Sequence, residues 1–308
     1  MKKIKLFGLL LLFAAAMSFT ACSDDDLSST SIFPEQKVED SKFNNWLTKN
    51  YVQPYNIDFK YRYSDKESDR NYNVIPAKYE NAIAIAKLMK YMWIDSYVEC
   101  AGREFLCTYT PRVIQLTGSY KYGTNGSIVA GSAEQGMKVM LYGVNDLDLD
   151  NVYVNTTDPY ANHYTKPLDL NYLYFHTMHH EFCHILTQTK NYSTDFQTIS
   201  AGGYHSTDWI NVKDKDAAKE GFVSGYASGE YNEDFAETYA FYVTMSAEGW
   251  QKILDQAGEK GAAIINKKLD IVRSYFAESW GIDLDKMRAI LMDRSAKVTS
   301  LDLRSLDD

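Results

Sequence analysis

Residues 172–186 restrict the fold of this chain more than any other stretch. At about 100° per residue, Tyr172, Phe175, Met178, Phe182, Ile185 and Leu186 form one apolar stripe, with His180, Glu181 and His184 on the opposite side. A helix divided in this way needs a hydrophobic core against one face and a polar cleft against the other. The rest of the chain has to supply both.

The polar face carries H-E-x-x-H as His180, Glu181 and His184. Residues four apart lie one turn apart on the same face, so both imidazoles can reach one ion. Zinc accepts neutral imidazole nitrogen, and a catalytic site keeps one coordination position for water. Glu181, beside the first histidine, can take a proton from that water. His176 lies one turn earlier, out of reach of an ion held by the other two, and is expected to line the cleft. His179 points to the apolar side and is expected in the core with a hydrogen bond. His163 and His205 fall in loops, where surface exposure is the default, although His205 could touch a substrate.

The motif does not continue to a third histidine. Thr187 and Lys190 stand where a metzincin would have glycine and histidine. A carboxylate from another helix is the alternative, and Glu233 and Glu237 offer it. They are four apart on one predicted helical face, with Phe235 and Tyr239 turned away. One can bind the ion while the other holds a ligand histidine in its tautomer. Spacing does not choose between them, and an acidic first turn also complements the helix dipole.

Elsewhere, helices are expected over residues 42–51 and from Pro76 to about Cys100, and strands over 55–63, 112–116 and 137–142, with a Gly-rich hairpin-like stretch at 122–131. Downstream of Pro167 the pattern is helical, near 169–189, 231–247, 249–278 and 283–294. The fold class is α+β, with a mixed N-terminal part (39–168) and a helical part holding the chemistry (169–308). Residues 191–230, rich in Gly, Ser and Tyr, are expected to shape the cleft.

The first residues belong to targeting and not to the fold. Lys2, Lys3 and Lys5 precede an apolar run, residues 6–17, too short to span a bilayer. Phe19-Thr20-Ala21-Cys22 resembles the lipobox of bacterial lipoproteins, which implies a signal peptide of 1–21 and acylation at Cys22. Ser23-Asp24-Asp25-Asp26 resembles the surface-export signal of Bacteroidetes lipoproteins. Residues 22–38 then read as a flexible tether. Without the three leader lysines, the 32 Lys and Arg fall to 29 against 41 Asp and Glu. That acidity, with no basic block, excludes nucleic acid as a partner. Cys100 and Cys107 could bridge in an oxidising compartment, while Cys183 is expected to pack as a small apolar residue.

H-E-F-x-H followed by E-x-F-A-E resembles the gluzincin arrangement and is similar to the catalytic domain of anthrax lethal factor over residues 170–245. Cys183 departs from that pattern, which has glycine there. The resemblance implies a zincin-like fold with one zinc ion on His180, His184 and Glu233. It also implies that Glu237 orients His180 and that Tyr226 assists the reaction. The lipobox, Gly221-Phe222-Val223-Ser224 and both acidic-histidine motifs together resemble the substrate-import-associated zinc metallohydrolase lipoproteins of Bacteroidetes. This implies a lipid-anchored outer-membrane peptidase facing outward beside a SusC/SusD-type transporter. Two other readings stay open, a non-catalytic scaffold of such a complex and a hydrolase of non-peptide amides.

Overall fold

The computed structural model describes residues 41–63, 74–123, 126–134 and 136–307. The expected signal peptide, Cys22, the acidic run and the tether lie outside the described residues. Chain contacts group Lys42–Asp308 as one unit.

Helix α1 runs from Lys42–Leu47 through a π-helical turn, Thr48–Val52, to Gln53–Tyr55. It stops where Asn56 takes a left-handed conformation, φ 56°, which asparagine tolerates better than most residues. The strand expected over 55–63 is therefore shorter, β1 at Asp58–Lys60. Helix α2 follows as Tyr79–Met89, a π-helical turn Lys90–Ile94, and Asp95–Ala101. Gly102, at φ 88°, separates it from α3, Arg103–Tyr109, which periodicity did not reveal.

Strands β2 (Val113–Leu116) and β6 (Lys138–Leu141) pair in parallel, with β1 beyond β2. Ile114, Gln115 and Leu116 of β2 and Val139, Met140 and Leu141 of β6 are all buried, as expected of parallel strands covered on both faces. Between them the chain makes a small antiparallel pair, β3 (Lys121–Tyr122) and β4 (Ile128–Val129). It then forms β5, Gly131–Glu134. Strand β5 runs antiparallel to β6 and ends the sheet order β1-β2-β6-β5. It was not foreseen, and it borders the site.

The remaining part is helical. Helix α4 opens with a π-helical segment, Asn171–His176, and continues as Thr177–Thr189. Short helices α5 (Asp195–Ile199) and α6 (Asp214–Glu220) precede α7, Tyr231–Thr244. Helix α8 spans Ala247–Trp280 with a break at Gly258, and α9 covers Leu284–Ser295. Among the described residues no helix is long and apolar enough to cross a membrane. This is the zincin-like arrangement, an N-terminal sheet followed by a helical half.

Helix α7 is the central pillar, buried continuously from Asp234 to Thr244. Asp234 meets Lys268 of α8 at 2.6 Å in full burial. Lys268 also donates to the Gly221 carbonyl at 2.8 Å and lies 3.9 Å from the centre of the Phe222 ring. Burial pushes Asp234 up to about 6 and Lys268 down, against their mutual attraction. Such a pair stabilises little by itself, yet it fixes how the two helices meet.

Candidate metal centre

The start of α4 is tied down by polar contacts that position its first turns. Asp169 accepts from the Asn155 and Asn171 amides, both at 3.0 Å. The Asn171 amide group donates to the carbonyls of Asn155 and Thr244, at 2.8 and 3.1 Å. Its apolar stripe then packs inward, with Phe175, Met178, Phe182 and Leu186 buried. The histidine face is left toward α7 and β5.

His180 and His184, one turn apart, bring their Nε2 atoms to 3.0 Å from each other. Glu233, in the first turn of α7, places Oε2 3.0 Å from His180 Nε2 and 3.2 Å from His184 Nε2. Around a tetrahedral zinc with ligand bonds of about 2.0–2.1 Å, donor atoms stand roughly 3.3 Å apart. The three converge to nearly that spacing. The donor chemistry fits as well. Nδ1 of His180 lies 2.8 Å from Glu237 Oε1, an ion-pair approach without hydrogen-bond alignment. That carboxylate favours the tautomer with the proton on Nδ1 and the Nε2 lone pair toward His184 and Glu233. Lone pairs gathered at one point repel unless a cation lies among them. The site fits zinc.

Behind it, Glu237 is shared. Oε1 accepts from His176 Nε2 at 2.7 Å as well as facing His180, and Oε2 accepts the Ser224 hydroxyl at 2.7 Å. His176, His180 and Glu237 form a second group with close donor atoms. Its His176–Glu237 separation of 2.7 Å is that of a charge-assisted N–H···O bond, and all three side chains are buried. The His180, His184 and Glu233 group faces open cleft instead. Burial alone would lower the His180 pKa, but Glu233 and Glu237 raise it well above the usual value. Burial would raise both carboxylates, and the histidines hold them well below the normal range.

Glu181 sits beside the trio and is buried. Burial raises its pKa, partly offset by His180 and His184. Tyr226 lies on a 3-10 turn, Tyr226–Ser228, with its ring 5.8 Å from that of His180 and 4.8 Å from that of Trp209. Burial, with the Glu233 carboxylate nearby, pushes its pKa far up. It therefore stays a neutral donor at any ordinary pH.

His176 borders the cleft as expected, but spacing gave no hint of its bond to Glu237. His179 is fully buried, stacked on Tyr97 at 5.5 Å and 3.4 Å from the Tyr239 hydroxyl. Burial takes its pKa down to about 3, so it remains neutral. The expectation for His163 is corrected. It is buried, bonded to Asp169 at 2.7 Å and stacked on Tyr172 at 4.0 Å, because the loop folds back over the start of α4. His205 is half-exposed and pairs with Glu220 at 2.7 Å. Cys100 and Cys107 are free, each donating to a different carbonyl, and Cys183 is buried.

The family model described as "Putative zinc-binding metallo-peptidase" matches residues 36–285. The chain belongs to this family. A solved structure, described as a "putative zinc-binding metallo-peptidase" from Bacteroides caccae, is 40% identical, with a TM-score of 0.71. The match covers 90% of this chain and 100% of that one. No curated protein matches. The segment matching the zinc-binding metallo-peptidase family takes in α4, α7 and the turn carrying Tyr226. It also holds Ser224, whose contact with Glu237 gives the Gly221-Phe222-Val223-Ser224 stretch a physical purpose.

Proposed function

We propose that this chain is a peptidase working with one zinc ion held by His180, His184 and Glu233. When bound, zinc acts as a Lewis acid that acidifies water and polarises a carbonyl. Glu181 takes the proton of the attacking water and returns it to the leaving amine, a role suited to a carboxylate whose pKa is raised by burial. Tyr226 donates to the oxygen on which negative charge develops. Glu237, steadied by His176 and Ser224, keeps the Nδ1 proton of His180 in place.

One observation carries the peptide reading. Glu181 and the converging trio share a cleft of about 470 Å³ with Gly131, Ser132 and Ala133 of β5. Because Ala130 and Tyr142 form a hydrogen-bonded pair at 3.0 Å, the alternation of an antiparallel ladder turns the backbone groups of Gly131 and Ala133 away from β6. An extended peptide can add to such an edge as a further strand. Gly131 lets β5 lie this close to α4, since a Cβ there would stand 2.3 Å from Thr177 Cγ2.

Digestion of a mixed peptide library with and without chelator, with mass mapping of the products, tests the reading. Chelator-sensitive cuts at peptide bonds support it, and an uncut library defeats it. Tyr226→Phe is expected to retain zinc and lose about 10²–10³ in turnover, the usual cost of one oxyanion donor. Unchanged turnover would remove Tyr226 from the mechanism.

The lipobox and the acidic run after Cys22 support an outer-membrane lipoprotein facing outward. Resemblance to the import-associated metallohydrolases supports a place beside a SusC/SusD-type transporter. With Cys22→Ser the protein is expected in the soluble fraction of the cell, and retention with membranes would refute the anchor.

A further inference from the structure

The cleft has two unlike lobes that meet at His180 and Glu181. One, toward the end of α4 and the start of α7, is lined by Thr187, Gln188, Asn191, Glu230 and Asn232. The other, of about 450 Å³, is walled by Ile128, Val129, Tyr164, Tyr172, Trp209 and Ile210. Ile128, Tyr164 and Ile210 stay 36%, 37% and 37% exposed. Large apolar residues left open together beside a polar site mark a place where something apolar binds. We infer, building on the peptidase reading, that this lobe receives a large apolar side chain, aromatic above all, on the residue flanking the bond to be cut.

The lining supports that occupant over others. Apart from Glu181, no acidic, lysine or arginine side chain lines the lobe among the described residues. Its two histidines are already engaged, His176 Nε2 with Glu237 and His180 Nε2 with Glu233. A charged guest would lose water and gain no partner. The rings offer both edges and faces, with Trp209 set at 68° to Tyr226 and Tyr164 at 76° to Tyr172, the relations aromatic side chains prefer. The lobe is continuous with the reacting groups, because Glu181, His180, Gly131 and Tyr226 border both halves. A side chain seated there belongs to a residue at the bond and not to a distant one.

The test uses short acetylated peptides of Gly and Ser carrying a single Phe, Ala or Lys. Binding to the zinc-loaded Glu181→Gln protein is followed by calorimetry, and cut sites are mapped with the unmodified protein. Phe is expected to bind about 10–100-fold more tightly than Ala, the worth of burying one large apolar side chain, with Lys no tighter than Ala. Cuts should fall directly beside the Phe. Trp209→Ala should erase most of the preference. Ile128→Trp, which narrows the lobe from a wall it does not share with the other half, should lower Phe binding while sparing Ala. Equal binding of Phe and Ala, or a Phe advantage that survives Ile128→Trp, overturns the inference. So do cuts away from the Phe. A Phe preference in binding without any cutting would keep the lobe and sink the peptidase reading. Cutting with no side-chain preference would do the reverse.

Discussion

Glu181→Gln is expected to yield a folded protein with its full complement of zinc and turnover lowered by about 10³–10⁴, near the top of the range for general acid–base catalysis. The size follows from the environment. Glu181 is the buried carboxylate that lines the cleft beside the converging trio without being one of the three, and its pKa is already raised by burial. The amide keeps the shape of the side chain, but it cannot hold a proton in transit. Metal content by mass spectrometry and initial rates on the same sample separate this outcome from simple loss of the ion. Full activity with zinc retained would remove proton transfer by Glu181 from the mechanism.

His184→Ala should act differently, by emptying the site. It removes one of three donor atoms that stand 3.0–3.2 Å apart, and both metal content and turnover are expected to fall to background. Glu237→Gln gives the informative contrast. All three donors remain, but the carboxylate facing His180 Nδ1, His176 and Ser224 is neutralised. Loss of such a supporting partner typically weakens metal binding by about 10–100-fold. Zinc titration against a competing chelator measures both variants. Stoichiometric zinc in His184→Ala would move the ion elsewhere, with the His176, His180 and Glu237 group as the first place to look.

The parts of this site that could be read from the chain were those governed by helical period. The split faces of α4 follow from residue spacing alone, and so does the shared face of Glu233 and Glu237. Which glutamate meets the cleft did not follow from spacing. In the fold Glu233 is partly open to it, while Glu237 sits behind His180. Strand β5 was hidden because Gly131-Ser132-Ala133-Glu134 has no apolar alternation. Its residues are all half-buried, and what makes it a strand is pairing with β6. His163 and Ser224 escaped for a related reason. Their partners, Asp169 with Tyr172 and Glu237, are contacts of tertiary structure that no local pattern announces.

The rear of α7 has one more consequence. Glu233 points forward from this helix, while its neighbour Asp234 is locked behind to Lys268 and the Tyr204 hydroxyl. The pillar is thus held by its own packing and not by the ion, unlike small zinc modules that unfold when stripped. Empty and loaded protein should therefore share one shape, so that inhibition by withdrawing the ion is undone by giving it back.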